Sequence, residues 1–392
     1  MKWIIFTLCS FCILKLSAQQ KDSIITTSEQ VHVFKPETVD ATSDRINQLK
    51  LPKGFKVTPF ATDLGKPRMM AVTEDGAVYV TRRNGEITLL RDNNNDGKAD
   101  LTKTVVTLKD AHGLAIDGDQ LYIVTINDVF STNINNDNSL GPLIKIIENM
   151  PDGGQHPNRT LAIGPDGKLY VSVGSACNAC DEPREESATL LQFDKEGKNK
   201  KIFAKGLRNT IGFAWEPTTK KLYGLDHGID WLGDDSQKEE LNILEEGNHY
   251  GWPYIYDDGK YNVTDQPKDS SWEEFAKKTT DPVMSFTAHS APMNLLFYQG
   301  NMFHPQYKGM AFMSFHGSWN RKEPSGYKMM TLTFKDGKPE KAEDFLTGFL
   351  VDNKTKYFGR PTGLVEMPDG ALLLTDDSNG VIYRISYDSS AK

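Results

Sequence analysis

The stretch "NRTLAIGPDGKLYV", residues 158–171, decides the fold because its pattern returns along the chain. It contains a short apolar segment, a Pro-Asp-Gly turn and a second apolar segment that ends in Leu-Tyr-Val. Gly and Asp supply the backbone conformations that a tight hairpin turn requires. One copy predicts only a pair of strands, so the number of copies indicates the architecture.

Related stretches begin at five other places. They are "KPRMMAVTEDGAVYV" from Lys66, "AHGLAIDGDQLYI" from Ala111, "RNTIGFAWEPTTKKLYG" from Arg208, "HSAPMNLLFYQGNMFHPQYKGMAFMSF" from His289 and "RPTGLVEMPDGALLL" from Arg360. Repeats spaced by roughly 40 to 90 residues are typical of propeller blades with loop insertions. A β-sandwich or a pair of barrels is the alternative, but it repeats its turns at shorter spacing. The sequence therefore predicts an all-β, six-bladed β-propeller over residues 51–388.

Charge and composition narrow the range of partners. The net charge is -8 and no segment is rich in Lys and Arg, so we expect no nucleic-acid partner. Residues 19–50 are polar and without periodicity, which indicates a leader or linker. No segment after residue 18 is apolar for long enough to span a membrane, so we expect no span in the mature chain.

The first residues have the pattern of an export signal. One lysine precedes the apolar run 3–14, and small residues lead to Ala18, which predicts a signal peptide over residues 1–18. A membrane anchor, including a lipoprotein site at Cys9 or Cys12, is the alternative. The preferred interpretation predicts a periplasmic or secreted protein.

Two cysteines remain after the signal peptide, in "CNACD". Outside the cytoplasm, the neighbouring Cys177 and Cys180 most simply form a disulfide. Covalent haem requires His directly after the second Cys, where Asp181 stands, and no second cysteine pair supports zinc.

Each repeat carries an Arg or His near the start of its first strand. First strands of propeller blades lie side by side around one axis, so these positions should form a ring. Taken singly, such residues usually hydrogen-bond to loops. A cluster of cations is unfavourable unless an anion occupies it, so the ring predicts an anionic ligand. The ring positions are Arg68, His112, His156 with Arg159, Arg208 with Asn209, His289 and Arg360.

Four segments carry a resemblance to a known family. They are "GLRNTIGFAW", "DHGIDWLGDDSQKEELNILEEGNHYGWPY", "AHSAPMNLLFYQG" and "FHGSWNR". Together they resemble the pyrroloquinoline quinone (PQQ)-dependent sugar dehydrogenases, especially the sorbosone dehydrogenase-like branch, over about residues 50–388. The resemblance implies a propeller that binds PQQ at the mouth of its channel, oxidises a sugar and passes electrons to an external acceptor. The alternative is a non-catalytic propeller that binds glycans or proteins; a calcium-dependent lactonase would instead need carboxylates converging on the axis.

The resemblance also implies roles for individual residues. His156 matches the general base that assists hydride transfer from the sugar to the quinone. Arg208 and Asn209 match a pair of residues beside the quinone oxygens, and Arg208 is therefore also assigned a catalytic role. Arg360 matches an arginine that binds a carboxylate of the cofactor. PQQ carries three carboxylates, for which arginine forks are suitable donors. The rest of the predicted cofactor set is His112, His227, His289 and His316.

Calcium is implied at two places. In relatives, backbone carbonyls of a turn hold the calcium ion beside PQQ, and Gly228 and Ile229 stand there, although Ile229 replaces a proline. The stretch "DNNNDGKAD" suggests a second, structural site from its oxygen-bearing side chains, with a plain Asn/Asp-rich turn as the alternative. These side chains are Asp92, Asn94, Asp96 and Asp100.

Two differences from the glucose-oxidising relatives bear on the site. His316 stands where they have a lysine, and Ser175 stands where an acidic residue supports the base. Trp252 is expected to pack in the protein rather than to stack on a sugar, although both are compatible with "YGWPYIY".

Overall fold

The computed structural model describes residues 31–390, so the predicted signal peptide and residues 19–30 lie outside the described part. Regular structure there is almost entirely β-strand, which confirms the prediction of an all-β fold. The short helix Trp272–Ala276 begins at a capping box, in which Ser271 and Glu274 satisfy each other's backbone N–H groups. No helix in the described residues is long and apolar enough to cross a membrane.

The elements follow one another in this order. They are β1 (Glu37–Thr38), α1 (Ser43–Asn47), β2 (Phe55–Ala61), β3 (Pro67–Val72), β4 (Val78–Arg82), β5 (Glu86–Arg91), β6 (Leu101–Thr107), β7 (Gly113–Asp117), β8 (Gln120–Val124), β9 (Val129–Asn133), β10 (Ile144–Ile147), β11 (Leu161–Ile163), β12 (Leu169–Val173), β13 (Thr189–Phe193), β14 (Lys201–Lys205), β15 (Gly212–Trp215), β16 (Leu222–Asp226), β17 (Glu239–Leu244), β18 (Ile255–Tyr256), β19 (Lys260–Tyr261), α2 (Trp272–Ala276), β20 (Met284–Phe286), β21 (Pro292–Phe297), a 3₁₀ turn (Pro305–Tyr307), β22 (Ala311–Phe315), β23 (Lys328–Lys335), β24 (Lys338–Leu346), β25 (Leu350–Val351), β26 (Lys356–Tyr357), β27 (Pro361–Glu366), β28 (Leu372–Asp376) and β29 (Val381–Tyr387).

Six four-stranded antiparallel sheets make up most of the described chain. Sheet 1 contains β3 to β6, sheet 2 β7 to β10, sheet 3 β11 to β14, sheet 4 β15, β16, β17 and β20, sheet 5 β21 to β24, and sheet 6 β27, β28, β29 and β2. Each quoted repeat forms the first hairpin of one sheet. The turn pattern therefore located the first two strands of every sheet correctly.

The sheets follow one another in a closed ring through contacts at their first strands. Thr81 Oγ1 donates to the carbonyl of His112, which joins sheet 1 to sheet 2 (2.7 Å). Thr375 Oγ1 of sheet 6 donates to the carbonyl of Arg68, which returns the series to sheet 1 (2.7 Å). Gly212 keeps sheets 4 and 5 close, because a Cβ there would lie 2.7 Å from the Cα of Asn294.

Three apolar side chains meet where the first strands converge. Met69 of β3, Ile211 before β15 and Met293 of β21 form one buried cluster from sheets 1, 4 and 5. Asn294 Nδ2 also contacts Met69 Sδ (3.7 Å). Met69 directly follows Arg68, so this apolar cluster begins next to one residue of the predicted polar ring.

The N-terminal part of the described chain packs against the sheets. Strand β2 pairs with β29, so sheet 6 combines one strand that precedes sheet 1 with three strands that follow sheet 5. Ile46 of α1 is buried in a cluster that includes Phe349 and Tyr383. Strand β1 pairs in parallel with β26, and Phe34 N donates to the carbonyl of Trp319 (3.1 Å). Residues 31–50, within the predicted leader, thus contact the loops beside Asn320.

Candidate active site

The predicted ring residues lie at the same end of the first strands. Arg68 is the second residue of β3, His112 directly precedes β7, and Arg360 directly precedes β27. They separate into two hydrogen-bonded groups, one around Asp377 and one around Arg208.

Asp377 organises the first group. Its Oδ2 accepts from Arg68 Nη1 (2.5 Å), and its Oδ1 accepts from His316 Nε2 (2.7 Å). Burial opposes the charge of Asp377, but His316 and Arg68 hold its pKa well below the ordinary value. Burial lowers the pKa of His316 to about 4, against the attraction of Asp377. Arg68 is therefore already paired with a carboxylate of the protein.

His112 completes the first group with both ring nitrogens engaged. Its Nδ1 donates to the carbonyl of Arg159 (2.8 Å), so its Nε2 accepts from Arg68 Nη2 (3.3 Å). Burial, and then the charge of Arg68, lower the pKa of His112 to about 3. Arg159 itself is fully buried and donates to loop carbonyls, including that of His156 (2.7 Å). Both side chains have structural contacts.

Arg360 lies beside this group but has no carboxylate partner. Its Nε donates to the carbonyl of His316 (3.1 Å) and its Nη2 to that of Gly317 (2.7 Å). The guanidinium lies over the rings of Tyr327 and Tyr357, at 5.7 and 5.9 Å from their centroids. Within residues 31–390 it forms no ion pair, so its charge remains available to an anion.

Arg208 anchors the second group through one edge of its guanidinium. Its Nε donates to the carbonyl of Asn178 (3.0 Å), and its Nη2 donates to Asn178 Oδ1 (2.7 Å) and Asp230 Oδ2 (3.1 Å). Its Nη1 has no hydrogen-bond partner in the described chain and is not among the buried unpaired atoms. Arg208 thus has a fixed edge and an available edge.

His156 is held as a neutral acceptor. Ser175 Oγ donates to the carbonyl of Cys177 (2.7 Å), so it and the Ser175 carbonyl accept from His156 Nδ1 (2.8 and 3.0 Å). The Nε2 atom then carries a lone pair and has no partner in residues 31–390. Burial, followed by the charge of Arg208, lowers the pKa of His156 to about 3. Ser175 thus occupies the supporting position without adding negative charge.

His227 and His289, two further predicted cofactor ligands, have both ring nitrogens engaged by the protein. His227 Nε2 donates to the carbonyl of Pro292 (2.5 Å), and its Nδ1 faces Asn209 Nδ2 (3.4 Å). Burial lowers the pKa of His227 to about 4.

His289 is engaged in the same way, by Gly233 O (2.7 Å) and Asn320 Nδ2 (3.2 Å). Of the five predicted histidines, only His156 Nε2 and His316 Nδ1 lack a hydrogen-bond partner in the described chain.

The predicted calcium turn presents its carbonyls without hydrogen bonds. Gly228 N donates to Glu239 Oε2 (3.0 Å) and Ile229 N to Gln237 Oε1 (2.7 Å). No described group donates to the carbonyl oxygens of Gly228 or Ile229. Burial raises the pKa of Glu239 to about 8. The N–H groups are thus fixed while two carbonyls stay available, as a cation site built from backbone requires.

The second candidate calcium loop is closed by its own hydrogen bonds. Asp92 Oδ2 accepts from Gly97 N (2.8 Å), and Asp96 Oδ1 accepts from Lys98 N (2.9 Å). Asn94 Nδ2 donates to Asp100 Oδ1 (3.1 Å). No group of three or more His, Cys, Asp or Glu side chains in the described residues is arranged to hold a metal ion. These contacts favour the plain-turn alternative.

Sequence reasoning missed the carboxylates that fix the arginines. Asp226 ends β16 and accepts from the backbone N–H of Arg208 (2.9 Å); Asp376 ends β28 and accepts from that of Arg360 (2.8 Å). Burial raises the pKa of each carboxyl to about 6. The available signal was the aspartate that closes both "LYGLD" and "LLLTD", at the same position of two repeats.

The residues around the second group include a disulfide and two tryptophans. Cys177 and Cys180 are bonded to each other. Trp252 is buried against Ala188 and Ile229, as the packing interpretation expects. The exposed tryptophan here is Trp231, next to Asp230, with 49% of its surface accessible.

Comparison with known proteins gives consistent results. The family model described as TrAA12-like matches residues 49–388. An uncharacterised protein of Borreliella burgdorferi is 30% identical over 377 residues, which cover 91% of this chain and 96% of that protein. A pyrroloquinoline quinone-dependent sugar dehydrogenase of Hypocrea jecorina is 25% identical, over 84% of this chain and 87% of its own.

Solved structures share the fold. The calcium structure of the Trichoderma reesei family AA12 carbohydrate-active enzyme has a TM-score of 0.75 at 22% identity, covering 93% of this chain and 100% of its own. The holo form of the PQQ domain of pyranose dehydrogenase from Coprinopsis cinerea has a TM-score of 0.74 at 19% identity, covering 86% of this chain and 97% of its own.

Proposed function

The chain belongs to the TrAA12-like family, and from this premise we propose that it is a PQQ-dependent dehydrogenase that oxidises a sugar. The observation that carries the proposal is that Ser175 links two side chains with available atoms: it holds the ring of His156, and its N–H donates to the carbonyl of Arg208 (2.8 Å). His156 Nε2 offers a lone pair, while Arg208 Nη1 offers donors, and the charge of Arg208 acts on His156. A proton acceptor beside a fixed cation is the arrangement that alcohol oxidation requires.

The donors at the mouth fit the charge of PQQ. Arg360 has no carboxylate partner in residues 31–390, and Arg208 keeps its Nη1 edge available. Arg83 is exposed and forms no ion pair in the described chain; burial lowers the pKa of Arg68, and the charge of Arg83 acts in the same direction. Three guanidinium groups with available N–H donors suit a planar tricarboxylate. The carbonyls of Gly228 and Ile229 would hold calcium beside it.

The protein's own residues position the sugar hydroxyl and stabilise the charge that develops when it is oxidised. When bound, PQQ supplies the two-electron acceptor for the sugar. His156 Nε2 accepts the proton of the sugar hydroxyl, while Ser175 fixes the ring through Nδ1. Arg208 directs its available donors at developing negative charge. Asn209, His112, His227 and His289 orient neighbouring groups, and His316 keeps Nδ1 available. The anionic ligand would offset Arg208 and raise the pKa of His156 toward the range of a useful base.

The remaining features belong to the same proposal. The six sheets form six blades of a propeller, whose last blade combines β2 with β27, β28 and β29. The chain is exported by the predicted signal peptide, its substrate is an aldose or a sorbosone-like hydroxy-aldehyde, and its electrons pass to an external acceptor.

Reconstitution tests the function directly. Purified protein is stripped with a chelator and titrated with PQQ, with and without calcium, while quinone absorbance and dye-linked oxidation of a sugar panel are followed. We expect saturable PQQ binding and sugar-dependent dye reduction that requires calcium. Glycan binding without PQQ uptake or dye reduction would instead support the non-catalytic propeller.

A further inference from the structure

The loop closed by Cys177 and Cys180 contacts Arg208 directly and contacts Ser175, the residue that holds His156. Its residues have no helix or strand, so their positions depend on side-chain bonds and on the disulfide. Asn178 stands between the two cysteines and contacts Arg208. The carbonyl of Cys177 accepts from Ser175, the partner of His156.

Asn178 binds Arg208 with two oxygens at once. Its carbonyl accepts from Nε (3.0 Å) and its Oδ1 accepts from Nη2 (2.7 Å). Two parallel N–H···O bonds along one edge fix the plane of a guanidinium as well as its position. The direction in which Nη1 points therefore depends on where Asn178 stands. Asp230 Oδ2 reaches only Nη2 (3.1 Å), so this ion pair cannot set the plane by itself.

Other contacts fix Asn178 in turn. Its Oδ1 also accepts from Asp230 N (2.9 Å), and its Nδ2 donates to the carbonyl of Asp230 (3.1 Å). The indole N–H of Trp252 donates to the carbonyl of Asn178 (3.4 Å). The side chain thus ties its own loop to the turn that follows Gly228 and Ile229. A short loop with a covalent closure has fewer alternative conformations to lose.

We propose that Asn178 is a positioning residue that sets the orientation of Arg208, and that the Cys177–Cys180 disulfide keeps the same loop in register with Ser175 and His156. The proposal rests on the proposed function for its catalytic consequence, but the contact between Asn178 and Arg208 does not.

Asn178→Ala separates orientation from charge. The substitution removes the Oδ1 and Nδ2 contacts but leaves Asp230 to pair with Arg208. Turnover should fall by about 10- to 100-fold, because misplacement of a catalytic group by about 1 Å has effects of that order. The affinity for PQQ should stay within the same order of magnitude, since the charge of Arg208 remains. Asn178→Asp keeps the Oδ1 acceptor but loses the Nδ2 donor to the carbonyl of Asp230 and adds a negative charge beside Arg208, so it should recover turnover only in part and should also lower PQQ affinity.

Asn127→Ala is the matched control. Asn127 Nδ2 also bridges two loop segments, through the carbonyl of Met150 (3.0 Å), but Asn127 lies in the turn between β8 and β9 and forms no hydrogen bond with Arg208. This variant should change the melting temperature without changing turnover. The double variant Cys177→Ser/Cys180→Ser opens the loop and should lower turnover like Asn178→Ala, while adding reductant should have no further effect on it.

A second measurement does not depend on activity. The Nε–H resonance of Arg208 in the apoprotein, assigned by its loss in Arg208→Lys, should exchange slowly with solvent in the wild type and at least about 10-fold faster in Asn178→Ala, because its ordered acceptor is loosened. Slow exchange with wild-type turnover in Asn178→Ala would overturn the proposal. If the wild type neither binds PQQ nor oxidises sugars, but the exchange difference is found, the proposed function fails and the positioning role stands.

Discussion

Replacing His156 with alanine removes both a structural contact and the available Nε2 atom, and the two losses differ in size. The bond from Nδ1 to Ser175 is between uncharged groups, so its loss lowers the free energy of unfolding by about 1 kcal/mol. Loss of a positioned proton acceptor lowers turnover by roughly 10²- to 10⁴-fold. That range equals about 2.7 to 5.4 kcal/mol of transition-state stabilisation. The catalytic loss should therefore exceed the structural one severalfold.

The variant His156→Asn distinguishes the two losses. An asparagine amide can donate to Ser175 in place of Nδ1 but has no atom where Nε2 stands. We expect His156→Asn to recover the melting temperature that alanine loses while keeping the same defect in turnover. PQQ should remain bound in both variants, because the arginines are unchanged. Dye-linked turnover at saturating PQQ, PQQ affinity and melting temperature are measured together, and near wild-type turnover in loaded His156→Asn would refute the role of Nε2.

Two further substitutions test the arginines and their buried carboxylates. Arg208→Ala should lower PQQ affinity and turnover together, unlike His156→Ala, because it removes a cation that serves both; a titration combined with the dye assay checks this, and loss of turnover alone would contradict it. Burial raises the pKa of Asp376 to about 6, so the protonated carboxyl contributes to the free energy of unfolding. This contribution is fully present below the ordinary aspartate pKa and is lost as the pH rises through about 6. Asp376→Asn should therefore gain stability relative to the wild type between about pH 4 and pH 7 in urea unfolding of the apoprotein, whereas a constant difference between these pH values would contradict the shift.

The hairpins were predictable because their signals are local. A Gly-containing turn between two apolar segments specifies a pair of strands whatever surrounds it. The same alignment gave the common phase of Arg68, His112, Arg208 and Arg360, since equivalent positions in repeated units occupy equivalent places. The longer, irregular repeat from His289 also formed its sheet, because its two apolar segments remained intact.

The partners of these residues were not predictable from the same signals. Arg68 and Asp377 are 309 residues apart and meet only because sheet 6 packs against sheet 1, while His316 and Asp377 are 61 apart and meet because sheets 5 and 6 are neighbours. Which histidine keeps an available nitrogen depends on loop carbonyls, which carry no sequence signature. The contacts of Asn178 likewise arise from a loop without regular structure, whose path no periodic pattern specifies.

The distribution of charge changes the reason for expecting an anionic ligand. A ring of unpaired cations would require an anion, but Arg68 is neutralised by Asp377 and Arg208 by Asp230, and burial keeps His112 and His156 uncharged at neutral pH. Within residues 31–390, the site guanidinium groups without a carboxylate partner are therefore those of Arg360, beside His316, and of the exposed Arg83. An anionic ligand at this mouth should consequently be oriented, with a carboxylate directed to Arg360 and its reacting part to the side of His156.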